Sequence, residues 1–302
     1  MNTLAKNIIL SPFNLLYKIS PEIELKIMFY LKQRYKLDLD KPVTFSQKIQ
    51  WIKLYDQNEL MPKCCDKLWA RKYVEEQGCG ELLTKLLWEG EDPEKIPFDK
   101  LPEKFVIKVT HGSTFNIICK DRDSLDKEAA KEKCRKWLKA KFIPAYGEWF
   151  YGVEKPRIIV EEFLESDDGE ELRDYKILCF NGKPAYVRVD SDRFVGHKTD
   201  MYDINWVRQE GVRWKYPNSD SAIPKPECFD KVLAYASKLS ASFTHARVDF
   251  YIVKGKIYFG EVTFTSAAGF DKFTPYEFDL KLGQLLTLPE KKNVRKDLHR
   301  KR

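Results

Sequence analysis

The hydrophobic and polar positions of this chain fall into two textures. The first third reads as helical. Thr44 is followed three residues later by Gln47, a capping-box pattern, and a helix is predicted from there to about Tyr55. Asp66 opens a second predicted helix, Lys67–Gln77, which Gly78 and Gly80 close. From Phe98 the pattern shortens into β-rich runs at Phe105–Val109, Phe115–Cys119, Arg157–Phe163, Tyr175–Phe180 and Ala185–Val189. Helices are predicted between them, at about Asp126–Ala140 and Phe229–Ala241. Turns such as Asn181-Gly182 join neighbouring strands as hairpins, so the expected class is α+β with antiparallel pairing. The stretch Glu89–Leu101, with Pro93 and Pro97, is the best candidate for a linker between units.

One segment carries more chemistry than the rest. Arg247 to Thr263 reads as a β-hairpin turning at Lys254-Gly255-Lys256. Arg247 and Asp249 are two apart on the first strand and share a face, as do Glu261 and Thr263 on the second. The hairpin can bring Asp249 and Glu261 side by side. Two carboxylates among apolar strand residues are costly to bury unless paired or neutralised. Structural salt bridges are one solution. A hard divalent cation such as Mg²⁺, which travels with phosphates, is the other, and Arg247 beside it could hold a phosphoryl group bidentately.

Composition narrows the class. A chain of 302 residues can hold two or three compact units, and 43% hydrophobic residues suffice for an ordinary globular core. The seven cysteines form no CxxC pair, which argues against a disulfide framework or structural zinc and for reduced thiols in the cytoplasm. No signal peptide is expected, because Pro12 interrupts the apolar N-terminal stretch. Ile8–Tyr35 reads either as an interfacial amphipathic element or as helices docked on the body. The net charge of +7 is concentrated in the tail, where seven Lys/Arg stand against Glu290 and Asp297. That tail is a solubilising end, or a contact for an anionic polymer or for the inner face of the membrane. No basic–aromatic repeat marks a nucleic-acid binder.

Further candidate chemistry is spread along the strands. Lys108 projects from Phe-Val-Ile-Lys-Val, directly before the polar turn His111-Gly112-Ser113, which together could cradle phosphate. Glu161 and Glu162 end an apolar strand whose backbone could pair with an adenine edge. Asp174 and Lys176 share a face of the next strand, and Arg188 and Asp190 share one a hairpin later. Asp190-Ser-Asp192 is formally a DxD triplet of the kind that binds metal in nucleotide-sugar glycosyltransferases. The chain has neither a GxxxxGK[ST] loop nor a GxGxxG fingerprint.

Taken in order, these blocks resemble the ATP-grasp superfamily and, within it, the TupA-like branch found in bacterial surface-polysaccharide loci. The matching blocks include Pro42-Val-Thr-Phe-Ser-Gln-Lys-Ile, Asp66-Lys67, Leu101-Pro-Glu-Lys-Phe-Val-Ile-Lys108 with His111-Gly-Ser, Gly147-Glu-Trp, Ile159-Val-Glu-Glu, Asp174-Tyr-Lys, Arg247-Val-Asp-Phe-Tyr and Phe259-Gly-Glu-Val-Thr-Phe.

The resemblance implies two α+β subdomains clasping ATP over residues 96–289, a mostly helical region over 1–95 and a basic tail over 290–302. It implies an ATP-dependent carboxylate–amine ligase acting through an acyl phosphate. Its partners would be an acidic sugar or polysaccharide precursor, such as a uronic acid, and an amine or amino acid. Lys67 and Lys108 would contact the ATP phosphates, and His111, Gly112 and Ser113 would form a loop over them. Glu161, Glu162, Phe163 and Leu164 would form the adenine hinge. Asp174 sits where an acidic ribose contact is expected, with Lys176 beside it. Arg188 and Arg247 would stabilise the transferred phosphoryl group, and Asp249, Glu261 and Thr263 would bind Mg²⁺. Many relatives carry Asn where Thr263 stands. A glycosyltransferase using Asp190 and Asp192, and a non-catalytic assembly protein, are the competing readings.

Overall fold

The structure, a computed structural model, describes residues 3–166, 172–191 and 196–291. Five helices open the chain: α1 (Thr3–Ile19), α2 (Pro21–Gln33), α3 (Phe45–Tyr55), α4 (Leu60–Cys65) and α5 (Lys67–Glu76). The expected capping box forms at α3. Gln47 N–H donates to Thr44 Oγ1 at 3.1 Å, and Gln47 Oε1 accepts from Thr44 N–H at 3.3 Å. Asp66 caps α5 by accepting from the N–H groups of Leu68 and Trp69, and Gly78 leaves it in the left-handed conformation. The helix α1 continues through Pro12, where an interruption was expected.

A four-stranded antiparallel sheet follows. Its strands are β1 (Leu86–Gly90), β2 (Phe105–Val109), β3 (Asn116–Cys119) and β4 (Ile158–Glu162), in the order β1-β4-β2-β3. The alternation in β2 sends Phe105, Ile107 and Val109 into a core against Ala130 and Cys134 of α6 (Lys127–Leu138). Lys108 therefore faces the opposite side. Strand β1 lies inside the helical range 1–95 and ends within the proline-bearing linker stretch, yet it pairs with β4.

The second sheet holds five antiparallel strands in the order β10-β9-β5-β6-β7. They are β5 (Asp174–Phe180), β6 (Lys183–Ser191), β7 (Lys198–Asp203), β9 (His245–Val253) and β10 (Lys256–Thr263). A short pair joins β8 (Arg213–Trp214) to β11 (Phe273–Thr274). The turns at Asn181-Gly182 and Lys254-Gly255 have positive φ at both residues, as tight hairpin turns require. The apolar side of β9, with Val248 and Phe250 fully buried, joins the core that α7 (Phe229–Ser240) covers.

That core also takes in the apolar side chains of α2 to α5, so the helical region and the second sheet share one interior. Where α3 meets α8 (Tyr276–Leu285), a side chain on Gly283 would collide with the Val43 carbonyl. Only glycine permits that approach.

Candidate active site

The polar face of the second sheet carries one charged row that crosses four strands in register. Glu261 on β10 stands opposite Asp249 on β9, Asp249 opposite Lys176 on β5, and Lys176 opposite Arg188 on β6. Directly opposed residues point to the same face, so hydrophobic alternation along each strand places all four charges together. Gly260 forms a bulge that brings Glu261 into this register; a side chain there would meet the Asp249 carbonyl at 3.0 Å.

Within the row Arg247 acts as a clamp. Its Nε and Nη2 donate to the two oxygens of Asp249 at 2.7 and 2.6 Å. Nη2 also reaches Glu261 Oε1 at 2.9 Å and Thr263 Oγ1 at 3.1 Å, and Nη1 donates to Ser266 Oγ at 2.8 Å. The bidentate edge expected to hold a phosphoryl group therefore faces Asp249. Lys176 sits among three carboxylates, at 2.8 Å from Asp174, 3.3 Å from Asp190 and 3.6 Å from Asp249. Burial raises the Asp249 carboxyl, and Arg247 and Lys176 offset this only in part. Burial also pushes on Glu261, but Arg247, Lys67 and the Thr263 hydroxyl together hold it below its ordinary value.

The first sheet contributes the facing wall. Lys108 Nζ lies 2.6 Å from Glu161 Oε2, and Arg71 Nη1 lies 2.7 Å from Glu161 Oε1. Burial would raise the Glu161 carboxyl, but these two cations outweigh it and lower its pKa. The backbone of Glu161 is engaged between β1 and β2, and Glu162 binds the Lys85 backbone from both its N–H and its carboxylate. Glu161 thus meets the site through its side chain as an anchor for Lys108. A backbone edge beyond the sheet begins only after Glu162, at Phe163 and Leu164.

Lys67, the first residue of α5, donates to the Gly112 carbonyl at 2.7 Å. Gly112 has φ +91°, and a side chain there would press on the Phe115 ring at 3.1 Å. His111 is buried and its Nε2 lies 3.0 Å from the Ala140 carbonyl, which pins the base of the turn, whereas Ser113 is exposed at its tip. Burial lowers Lys67, and the nearby Glu261 carboxylate opposes that shift.

These walls enclose a cavity of about 830 Å³. Of the residues expected to act, Lys67, Lys108, His111, Gly112 and Ser113 line it, together with Glu161, Arg247, Glu261 and Thr263. Asp174, Lys176, Arg188 and Asp249 stand in or beside the charged row instead and support it from the sheet. Arg188 Nε donates to Asp190 at 2.8 Å, and its guanidinium lies over Trp214 at 4.8 Å. Asp190 accepts from Thr199 as well, and Asp192 lies outside the described residues.

Several cavity residues escaped the sequence reading. Arg71 is one; its spacing of four from Lys67 on a single helix face was the available signal. Glu148 is another, within the block Gly147-Glu-Trp. Its Oε1 accepts from Thr265 Oγ1 at 2.5 Å, and burial raises its pKa to about 6 despite the field of Lys53. Behind it Lys53 is fully buried, donates to the Tyr146 and Ala268 carbonyls, and is pulled down to about 7 by burial. The cavity wall at Ala267 and Ala268 has φ of 49° and 54°, a left-handed pair of non-glycine residues that costs about 1–3 kcal/mol each.

Glu261 and the Thr263 hydroxyl are hard oxygen donors on the cavity wall of the kind Mg²⁺ takes, whereas both oxygens of Asp249 accept from Arg247 and Asp249 does not line the cavity. Among the described residues no group of three or more His, Cys, Asp or Glu could hold a metal unaided. A dication here would complete its shell with phosphate oxygens and water, which is how Mg²⁺ usually binds.

Two antiparallel α+β units with a lysine-bearing cavity between them define an ATP-grasp protein. A family model described as TupA-like ATPgrasp matches residues 47–287. The chain belongs to that family. Solved structures similar to it include D-alanine–D-alanine ligase from Bacillus anthracis complexed with ATP, at 17% identity, covering 67% of this chain and 55% of that one, with a TM-score of 0.42. L-amino acid ligase from Bacillus licheniformis is similar at 16% identity, 74% and 49% coverage and a TM-score of 0.46. An ADP complex of N5-carboxyaminoimidazole ribonucleotide synthetase is similar at 15% identity, 72% and 50% coverage and a TM-score of 0.46. The chain spans about half the length of these structures. No curated protein matches the sequence.

Proposed function

We propose that this protein is an ATP-dependent ligase that joins an amine or amino acid to a carboxylate through an acyl phosphate. The carboxylate we assign is a uronic acid or other acidic unit of a bacterial surface-polysaccharide precursor, of capsule, O-antigen or teichuronopeptide type. The observation that carries the reading is the convergence of Lys67, Lys108 and the His111-Gly112-Ser113 turn on the cavity wall facing Arg247 and Glu261.

The chemistry suits such a cavity. A carboxylate is a poor electrophile until an oxygen takes the terminal phosphoryl group of ATP, with ADP leaving. The amine then attacks the acyl carbon, phosphate departs, and an amide bond remains. Phosphoryl transfer needs charge neutralisation and alignment more than covalent help. Lys67 and Lys108 would neutralise phosphate oxygens, and Glu161 would hold the Lys108 ammonium in place. Arg247 would balance the acid pair Asp249 and Glu261, and Glu261 with Thr263 would hold Mg²⁺. Mg²⁺ held there would supply positive charge to the phosphoryl group in transfer. Glu148, a cavity carboxylate bonded to a hydroxyl rather than to a lysine or arginine, is suited to receive the ammonium form of the amine and to accept the proton it gives up before attack.

A glycosyltransferase reading finds less support, because Asp190 is bound to Lys176, Arg188 and Thr199 within the sheet. The test is product analysis with Mg-ATP, candidate uronates and candidate amines. The ligase reading expects ADP and phosphate in equal amounts with an amide. AMP formation, or sugar transfer from a nucleotide-sugar without ATP, would overturn it.

A further inference from the structure

Of the fifteen large apolar side chains exposed among the described residues, seven lie between Ile9 and Leu31. The helix α2 explains most of them. Its inner face buries Leu25, Met28 and Phe29 in the core. On the opposite face Ile23, Ile27, Tyr30 and Leu31 are 41–52% exposed. Their spacing of four, seven and eight makes one continuous stripe. At the end of α1, which packs on α2, Leu15 and Ile19 are 61% and 74% exposed. Single exposed apolar residues are ordinary, but a row of this length marks an interaction surface.

Charge says what the row meets. Residues 1–36 carry six Lys/Arg against Glu22 and Glu24, and Glu24 is turned into the core. The last described residue, Lys291, lies with its Nζ 4.1 Å from the centre of the Tyr55 ring, whose hydroxyl donates to Glu22 on α2 at 3.3 Å. The segment that follows in sequence, 292–302, carries six Lys/Arg and one Asp. The chain's excess of positive charge thus lies in the segments at its two ends. The rest of the chain is slightly acidic. No described helix is long and apolar enough to cross a membrane. An apolar stripe rimmed by Lys/Arg is the composition that seats a helix in the headgroup region of an anionic bilayer, and Tyr30 is an interfacial side chain.

We propose that the outer face of α1 and α2 docks peripherally on an anionic lipid bilayer. This goes beyond the ligase reading and does not depend on it. The apolar row separates a bilayer from a soluble anionic polymer, which needs cations alone.

The test is flotation of the full chain with phosphatidylcholine vesicles, with and without phosphatidylglycerol. The expected result is binding to the anionic vesicles only. The triple variant Ile19→Gln, Ile23→Gln, Ile27→Gln should weaken it roughly tenfold or more, since each lost apolar contact removes burial in the interface. Replacing the seven tail Lys/Arg by Gln should also weaken it, with the residual binding less sensitive to salt. Three results would overturn the proposal. One is absence of flotation with either vesicle. Another is unchanged binding in the triple variant, which would leave tail electrostatics alone. The third is a dimer in light scattering that the triple variant dissolves, which would make the row an interface between copies.

Discussion

The ammonium of Lys108 rests 2.6 Å from the carboxylate of Glu161, although the two side chains come from different strands. Lys108 pairs with Ile159 and Glu161 with Val106, so the two are diagonal neighbours on one face of the sheet. Arg71 holds the other carboxylate oxygen. A lysine aimed at a ligand by a buried acid loses few additional degrees of freedom when it binds.

Glu161→Gln should therefore be costly in two ways. Removing one partner of a buried charge cluster costs about 3 kcal/mol, read as a fall in melting temperature. Mg-ATP affinity should fall with it, because Lys108 is no longer oriented. The pH dependence has a definite sign. Lys108 and Arg71 depress the Glu161 pKa, so its contribution is complete above the ordinary value of 4.5 and is lost as pH falls below it. Stability of the variant should be flatter than that of the native protein on this acid limb.

Glu261→Gln separates function from fold. The Glu261 side chain is half exposed to the cavity, so its ion pair with Arg247 should be worth no more than about 1 kcal/mol. Melting temperature without ligand should barely move. Stabilisation by Mg-ATP and turnover should both disappear. A variant that keeps its full Mg-ATP-dependent stabilisation would remove Glu261 from the metal set.

Thr263→Asn introduces the amide that many relatives carry. The Thr263 hydroxyl donates to Glu261 at 2.9 Å and accepts from Arg247, both of which an amide can reproduce. The variant should retain activity, whereas Thr263→Ala should lower it. Initial rates at saturating ATP over a range of Mg²⁺ concentrations would check this.

Glu24 gives a prediction about stability alone. Its two carboxylate oxygens are buried without a hydrogen-bond partner, and burial raises its pKa to about 8 against the pull of Lys53. An acid raised in this way costs stability progressively as pH climbs from its ordinary 4.5 to about 8. Glu24→Gln should stabilise the protein by about 1–3 kcal/mol at the alkaline end of that window. It should change little at the acid end, where the native carboxyl is protonated as well. Thermal melts across that range would show the difference.

Local signals made much of the fold legible. Thr44 and Gln47 announced α3, the apolar alternation gave β2 to the residue, and Gly255 marked the hairpin that sets Asp249 beside Glu261. Strand β1 was hidden, because Leu86–Gly90 is a strand only through its long-range pairing with β4. Strand β7 was hidden for another reason. Its buried Asp200 is compensated by Arg208, which no alternation of apolar residues reveals. The same limit applies to the site. Residue types on one hairpin pointed to a charged row, but Lys176 and Arg188 extend it only through strand register. The Lys53–Glu148–Thr265 cluster joins α3, the segment before β4 and the end of β10, and spacing along the chain contains no trace of that meeting.

Calorimetric titration of Mg-ATP into the native protein and Lys108→Ala, with a UDP-sugar titrated alongside, decides whether the cavity is an ATP site. Mg-ATP should bind the native protein and bind the variant about ten- to hundredfold more weakly, the loss of one charge-assisted phosphate contact. Binding of the UDP-sugar without binding of Mg-ATP, or equal Mg-ATP affinity in the two proteins, would contradict it.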